Sequence, residues 1–188
     1  EENEVLITYV GAFKEWHGVH LIPKIASSIS EEYENVKFLL VGGGPLYESV
    51  KEKCSDLENV EFTGYLDSEK IPPILAISDI LIAPFSTKNY PLLEEYGFWW
   101  CPVKLFEYMA SGKPVLTTNF VEVKNIVKNS GLLAKEENVE QFKNLLETLI
   151  ANKEKRKKLG KIARRVAEKK YDWNSRADEI IQIYNNFL

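Results

Sequence analysis

Short apolar runs alternate with amphipathic stretches along the first 134 residues. Six runs of three to six residues are strand candidates, at 5–10, 36–41, 60–63, 80–83, 115–118 and 132–134. Several of them carry apolar residues at consecutive positions, which is typical of parallel strands that are buried on both faces. The amphipathic stretches predict helices near 19–30, 45–54, 68–76, 103–110 and 121–127.

Strand alternating with helix predicts an α/β fold: a Rossmann-like, doubly wound parallel sheet of about six strands. From Glu137 onward the pattern changes to three helices. One apolar face there comprises Phe142, Leu145, Leu146 and Leu149, and another comprises Ile180, Ile181 and Tyr184. No repeat or linker is evident. The sequence therefore predicts a single domain over 1–188, with C-terminal helices at 137–188.

Three loops that follow predicted strands are rich in glycine. Gly11 follows the first strand, Gly42, Gly43 and Gly44 follow the second, and Gly64 follows the third. Ligands of an open parallel sheet bind beyond the carboxyl ends of its strands, and glycine lets a ligand approach the backbone closely. The alternative is that these glycines only make tight turns. The run GGGPLY also lacks the last glycine of a dinucleotide fingerprint, which argues against an ordinary NAD-binding unit.

The segment PVKLFEYMASGKP, residues 102–114, predicts a helix that starts at a proline and ends in a glycine turn before an apolar strand. Free amides at such a helix start can hold a phosphate, and Glu107, about one turn further on, can accept hydrogen bonds from ribose hydroxyls. The alternative is a structural helix with a good start and stop.

Composition excludes several classes of function. A net charge of −4 gives no general attraction to nucleic acid, and Cys54 and Cys101 match no metal-ligand or redox spacing. The apolar runs are too short to span a bilayer, and the start EENE is unlike a secretion signal. We therefore expect a cytoplasmic protein, with contact to the inner face of a membrane only at its periphery.

Four segments together resemble the C-terminal half of GT-B glycosyltransferases, specifically glycosyltransferase family 4. They are PVKLFEYMASGKP, VGAFKEWHGVHLIPKIA at 10–26, VKFLLVGGGPLYESVK at 36–51 and VEFTGYLDSEKIPPILAISDILIAPF at 60–85. Their order and spacing also match, so the resemblance covers the chain from about Val5 to its C-terminus. It implies the donor-binding domain of a retaining, metal-independent hexosyltransferase, with a nucleoside-diphosphate sugar as substrate and no cofactor.

The resemblance also implies where the donor lies. The base would contact the loop of Gly64, Tyr65 and Leu66, with Ile71 beside it, and Glu107 would hold the ribose. The diphosphate would rest on the amides of Val103–Phe106, helped by Lys104 and the glycine loops. The implied donor-binding residues are Gly11, Ala12, Phe13, Lys14, His17, Gly18, Gly42, Gly43, Gly44, Gly64, Tyr65, Leu66, Ile71, Val103, Lys104, Leu105, Phe106 and Glu107.

The chain departs from the family pattern at three positions. The glutamate eight residues before Glu107 is replaced by Trp99, and the two cations that clamp the diphosphate correspond to Ala12 and His17. Glu94 and Glu95 either replace the missing carboxylate or are solvated surface acids. His17 either donates to phosphate or has a capping or packing role against Trp16. No nucleophile or general base is assigned, and Lys14, His17 and Lys104 are the candidates that would stabilise the leaving group.

Two further stretches have unusual composition. Residues 85–101 are rich in aromatic side chains. One interpretation is that these rings stack on a sugar or cover a domain interface, and the alternative is that they pack into the core. Residues 151–170 hold ten lysines and arginines against two glutamates. A basic helix can attract lipid head groups or nucleic acid, but the stripe of Leu159, Ile162, Ala163 and Val166 favours a core-facing helix with a solvated basic face.

The expected function is donor binding in a glycosyltransferase whose N-terminal, acceptor-binding domain is absent from this chain. That domain would be its partner, and the isolated chain would be inactive. The alternatives are a catalytically silent nucleotide-binding or partner module that kept the fold, favoured by Ala12, His17 and Trp99, and a flavodoxin-like or NAD-binding domain.

Overall fold

The structure is a computed structural model that describes residues 4–88 and 90–187. Its six strands all run parallel, in the spatial order β3-β2-β1-β4-β5-β6. They are β1 (Val5–Val10), β2 (Val36–Val41), β3 (Val60–Gly64), β4 (Ile80–Ala83), β5 (Val115–Thr118) and β6 (Gly131–Ala134). This order is that of a Rossmann-like doubly wound sheet, and it confirms the predicted fold class.

The described residues form nine α-helices. They are α1 (Ile22–Ser30), α2 (Tyr47–Lys53), α3 (Ile71–Ile77), α4 (Pro91–Tyr96), α5 (Val103–Ala110), α6 (Val121–Val127), α7 (Val139–Ile150), α8 (Lys153–Lys170) and α9 (Trp173–Asn185). Single 3₁₀ turns occur at Glu15–His17, Val19–Leu21, Ser68–Lys70 and Lys128–Ser130. The helices predicted at 103–110 and 121–127 have the predicted bounds.

Three predicted helices start later than expected, and one helix was missed. Residues 19–21 and 68–70 are 3₁₀ turns that lead into α1 and α3. Pro45 lies before α2 and does not begin it, because the Leu46 amide donates to the carbonyl of Phe13. The missed helix, α4, lies inside the aromatic segment 85–101; it starts at Pro91 and ends at Tyr96, and the next residue, Gly97, has a φ of +74°.

The core has two layers, one on each face of the sheet. On one face, Ile7, Phe38 and Ile82 pack with residues of α1 and α7. On the other face, Leu81 and Val115 pack with residues of α5, α6 and α8. Successive residues of β1 and β4 therefore point to opposite faces of the sheet. Because both faces are covered, apolar residues are consecutive along β4.

The basic helix α8 packs through its small residues, mainly on α5 and also on β5 and β6. Gly160, Ala163 and Ala167 are buried, whereas most of its lysines and arginines are exposed. The predicted solvated basic face is present. Of the predicted core-facing stripe, Ala163 is buried, and the other three residues are half-buried. No helix in 4–88 or 90–187 is both long enough and apolar enough to cross a bilayer.

The last helix, α9, keeps its apolar face uncovered. Ile180 is 67% exposed and Tyr184 is 63% exposed, and Trp173 at the helix start is 87% exposed. The apolar face predicted from the sequence is therefore present but packs on nothing in the described part of the chain. A helix with such a face normally buries it against another element.

Candidate functional site

The centre of the sheet contains a topological switch point between β1 and β4. The chain proceeds from β1 outward to β2 and β3, then returns to β4 and proceeds outward to β5 and β6. Loops that leave two such neighbouring strands diverge, and they open a crevice at the carboxyl end of the sheet. Here the two segments are 11–18 and 84–88, which contact each other where the Ser86 amide donates to the carbonyl of Trp16, and we call the region around this contact the crevice.

The side chain of Lys104 reaches into this crevice from the first turn of α5. Its ammonium lies 3.1 Å from the hydroxyl oxygen of Tyr9 and 4.4 Å from the centre of the Tyr9 ring. The ring centre of Phe85, in the segment after β4, is 5.5 Å away. A Cβ atom added at Gly11 would lie 2.3 Å from the ammonium nitrogen, so glycine at that position makes room for the cation.

Burial strongly disfavours the charged form of Lys104. Desolvation lowers the pKa of its ammonium to about 7, although the nearby charge of Glu107 acts in the opposite direction. Among the described residues, no carboxylate lies within 4 Å of the ammonium. A half-buried cation without an ion-pair partner favours the binding of an anion, which would replace the lost hydration.

His17 lies beside this cation, but it cannot add a second charge near neutral pH. Its Nδ1 lies 2.6 Å from the carbonyl oxygen of Ala12, which also accepts from the Tyr9 hydroxyl at 2.7 Å. Burial, followed by the charge of Lys104, lowers the pKa of His17 to about 4. Because a carbonyl only accepts, Nδ1 carries the proton and Nε2 of the neutral ring is an acceptor. The neutral ring therefore offers no second donor, and donation from His17 to phosphate stays a prediction that requires the protonated ring.

The glycine loops are bonded mainly to one another. The amides of Gly11, Phe13 and Gly42 donate to the carbonyls of Val41, Gly43 and Gly64, respectively. A Cβ atom at Gly42 would lie 2.0 Å from the carbonyl oxygen of Gly11, so this glycine is required by loop packing. Within the described chain, the amides of Ala12, Gly43 and Gly44 have no partner. Fewer backbone amides are therefore free to bind a ligand than the number of glycines in these loops predicts.

Several residues implied as donor contacts have side chains, or a backbone, that are closely packed within the chain. The Phe13 side chain is fully buried and packs edge-on against the rings of Tyr9 and Tyr47. Leu105 is also fully buried, in the core beneath α5. A Cβ atom at Gly18, where φ is +65°, would lie 1.7 Å from the carbonyl oxygen of Pro84. These positions shape the crevice and offer no side chain to a ligand.

The start of α5 offers fewer free amides than its sequence predicts. Pro102 precedes the first helical residue, and the Val103 amide donates to the carbonyl of Cys101. The Leu105 amide donates to the carbonyl of Pro102. Phe106 directs its ring toward Tyr171, with 4.7 Å between ring centres. Two of the four amides predicted to hold the diphosphate are therefore already bonded within the turn.

A cavity of about 490 Å³ lies between α3 and α5, next to the end of β1. Ile71 and Leu75 line it from α3, and Glu107 and Ser111 line it from the α5 side. The structure thus brings Ile71 and Glu107 together, as implied for the base and the ribose. Tyr65 is 82% exposed, and the residues 64–66 do not line this cavity.

The aromatic segment separates into a buried part and an exposed part. Phe98 contacts the rings of Phe85 and Phe120, with ring centres 5.4 and 4.9 Å apart, so it belongs to the core. Trp99 is 66% exposed. Glu94 and Glu95 are exposed on α4, which agrees with their interpretation as surface acids.

The sequence reasoning missed two tyrosines that form the crevice. Tyr9 ends the core face of β1 and lies under Lys104. The Tyr108 hydroxyl accepts from the Val10 amide at 2.7 Å and donates to the Val10 carbonyl at 3.0 Å, which ties α5 to the end of β1. The sequence pattern places both tyrosines at apolar core positions. It does not show that their hydroxyl groups make contacts at the crevice.

No group of three histidine, cysteine or acidic side chains in the described ranges could hold a metal ion.

Comparisons with known proteins concern the family and the fold of this chain. The spore coat protein SA of Bacillus subtilis is 26% identical over 191 residues, which cover 95% of this chain and 48% of that protein. The chain thus spans about half the length of that relative. The structure of a Staphylococcus aureus TarM mutant in complex with fondaparinux, α-GlcNAc-glycerol and UDP superimposes with a TM-score of 0.84 at 16% identity, over 97% of this chain and 36% of the other.

A third comparison concerns a structure of similar length. The C-terminal domain of a glycosyl transferase group 1 family protein, LpcC, from Francisella tularensis superimposes with a TM-score of 0.73 at 18% identity. It is matched over 90% of this chain and 87% of that domain. The family model of glycosyl transferases group 1 matches residues 1–166, which include every loop around the crevice. Sequence and fold therefore lead to the same conclusion: this chain belongs to the glycosyl transferases group 1 family.

Proposed function

We propose that this chain binds the nucleoside diphosphate of a sugar donor, as the C-terminal half of a retaining, metal-independent GT-B glycosyltransferase of family 4. The observation that carries the proposal is the unpaired, half-buried ammonium of Lys104 at the switch point of the sheet. A diphosphate supplies the negative charge that this cation lacks within the described chain. The UDP in the TarM complex supports a nucleotide as the ligand of this fold.

The proposed position of the donor follows from the free groups in the crevice. The diphosphate contacts Lys104 and the free amides of Ala12 and Gly43. Glu107, one helical turn after Lys104, accepts from the ribose hydroxyls, and the base enters the cavity beside Ile71. The nucleotide thus extends along the first two turns of α5, from the switch point toward α3.

The proposed chemistry is electrostatic. When the glycosidic bond to the donor breaks, negative charge develops on the diphosphate, and a preorganised cation with fixed amides stabilises it. Lys104 is held on the aromatic rings before the donor arrives, so little reorganisation is needed. Lys14, whose ammonium lies 4.9 Å from the centre of the Trp16 ring, supplies a second cation from the loop 11–18.

A second polypeptide region completes the enzyme in this proposal. The similarity to the C-terminal domain of LpcC supports the assignment of this chain as a C-terminal half. The exposed apolar face of α9 supports a partner domain that would cover it. We propose the N-terminal, acceptor-binding domain as that partner.

The second candidate function is a silent nucleotide-binding module. The neutral state of His17, together with Ala12 and Trp99 in place of charged residues, favours it. It predicts nucleotide binding without transfer in the full-length protein. Donor hydrolysis or transfer by the full-length protein would exclude this candidate.

Calorimetric titration tests the proposal directly. The chain is titrated with UDP, GDP and ADP and their sugar conjugates, with and without EDTA, and with NAD and FMN as controls. We expect saturable binding of at least one nucleoside diphosphate that persists in EDTA, and no binding of FMN. Binding of NAD or FMN alone, or loss of nucleotide binding in EDTA, would contradict the proposal.

A further inference from the structure

Glu136, in the loop after β6, crosses to the segment after β4. Its carboxylate accepts from the Thr87 amide at 2.5 Å and from the Thr87 hydroxyl at 2.6 Å. The Ser86 hydroxyl lies 3.5 Å from the same oxygen. Thr87 and Ser86 are both buried. Charge-assisted hydrogen bonds of this kind are among the stronger ones in proteins, so they fix the end of this segment.

The segment fixed by Glu136 carries the ring on which Lys104 rests. Phe85 lies two residues before Thr87 and is fully buried. Its carbonyl accepts from the Thr118 hydroxyl at 2.6 Å, and the next amide, that of Ser86, donates to the carbonyl of Trp16. The segment is therefore attached to β5, to the loop after β1 and, through Glu136, to the loop after β6.

The neighbouring residue, Glu137, makes a similar connection to the loop after β1. Its carboxylate lies 3.0 Å from Nε2 of His20. Glu137 adopts a φ of +57°, which is unfavourable for a residue with a side chain. Backbone strain of this kind persists where the surrounding structure fixes it, and it concentrates near functional sites. Two consecutive carboxylates thus contact the segment 84–88 and the 3₁₀ turn that follows the loop 11–18.

We propose that Glu136 is a positioning residue for the anion site: it holds the segment 84–87 so that the Phe85 ring supports the ammonium of Lys104. Glu136 does not contact the ligand in this proposal. It determines how closely the crevice is packed around the cation, and so how strongly the cation attracts a diphosphate. The proposal rests on the proposed nucleotide-binding function, but its structural part can be measured without a nucleotide.

The test compares Glu136→Ala with Glu136→Gln and with Glu140→Ala. Glutamine keeps an acceptor oxygen for both donors of Thr87, and Glu140→Ala removes the same charge from an exposed position on α7. The first measurement is the pKa of Lys104, from NMR titration of its labelled side chain. We expect Glu136→Ala to raise it by about one unit as the aromatic cover loosens, whereas the other two variants stay near the wild-type value. The neighbouring groups Tyr9, His17 and Glu107 are unchanged in all three variants.

The second measurement is UDP affinity by calorimetry, for folded protein as verified by circular dichroism. Glu136→Ala is expected to weaken binding about tenfold, with rescue by Glu136→Gln. If Glu136→Ala does not fold, Thr87→Val is measured in its place. This substitution removes the hydroxyl donor of Thr87 and keeps the amide donor. We expect it to change the Lys104 pKa and the UDP affinity in the same directions, by smaller amounts. Wild-type values of both the Lys104 pKa and UDP affinity in the folded variant would overturn the proposal. Failure of the wild type to bind any nucleotide would instead overturn the proposed function, and the Lys104 pKa would still decide the role of Glu136.

Discussion

Lys104 lies between the faces of Tyr9 and Phe85, and its charged form loses hydration there without gaining an ion pair. The folded-state pKa of about 7 is far below the value of 10.5 for a free lysine. Below pH 7 both the folded and the unfolded chain carry the proton, and the full penalty of burying it applies. Between pH 7 and 10.5 the folded chain releases the proton, so the penalty shrinks as the pH rises.

Replacing Lys104 with methionine is expected to stabilise the fold at low pH. Methionine keeps the apolar stem and removes the buried charge, so we expect a gain of roughly 1 to 2 kcal/mol at pH 6 and little change at pH 10. Urea denaturation at both pH values measures the difference. Lys124→Met, at an exposed position on α6, is the control. Equal effects of the two substitutions at pH 6 would contradict the role of burial.

The same residue predicts a pH dependence of donor binding. A diphosphate favours the protonated ammonium, so binding takes up a proton above pH 7. We expect the affinity for a UDP-sugar to be constant from pH 6 to 7 and then to fall by up to about tenfold per pH unit. The pKa of His17 is about 4, so this group does not titrate in that range. Calorimetry at pH 6 to 9 checks the slope, which Lys104→Met should abolish.

Glu107 is the residue expected to bind the ribose. Glu107→Gln keeps the shape of the side chain but loses charge-assisted hydrogen bonds, so nucleotide affinity should fall by roughly 1 to 3 kcal/mol. Glu107 is exposed, so the melting temperature should hardly change. A 2'-deoxyribose nucleotide is the control ligand: the wild type should discriminate against it more strongly than the variant. A fall in melting temperature at unchanged affinity would show a structural role instead.

At the scale of elements, α5 and α8 cross at two glycines. A Cβ atom at Gly160 would lie 2.0 Å from the carbonyl oxygen of Gly112, which belongs to the turn after α5. Gly160→Ala is therefore expected to separate the two helices and destabilise the fold by roughly 1 to 3 kcal/mol. Gly43→Ala is the matched control, because a Cβ atom there meets no atom within 4 Å. Similar melting temperatures for both variants would contradict the close crossing.

The strands and most helices could be predicted because burial leaves a local pattern. The run ILIA of β4 is apolar at every position because both faces of the sheet are covered. The helix α4 was missed because its six residues are mostly exposed and lie among aromatic residues whose partners are distant in sequence. Local pattern carries no information on such partners.

The candidate site was predictable only in part, for a related reason. The sequence indicated Lys104 and Glu107 from one helix, and they lie on neighbouring turns as expected. The bonds of the Gly11, Phe13 and Gly42 amides depend on how three loops meet, and the sequence does not show this. The contact of Glu136 with Thr87 joins residues 49 positions apart, so no local motif reveals it.

At the scale of the whole molecule, the chain presents a donor crevice and an uncovered face on α9. We expect the purified chain to bind nucleotide but to transfer no sugar, because these 188 residues span only about half the length of the relative they match. Radiolabelled sugar transfer from a donor panel, compared between this chain and the full-length protein, measures this. Transfer by the chain alone would refute the need for a second domain.

The position of β1 in the sheet has a consequence for how the chain folds. β1 precedes the other five described strands along the chain, yet it pairs with β2 on one edge and with β4 on the other. During synthesis it gains the first neighbour early, but the second emerges only after about 70 further residues, at Ile80. In that interval the apolar sequence VLITYV has an open edge that can pair with another chain. Folding yield should therefore depend on chain concentration until β4 closes that edge.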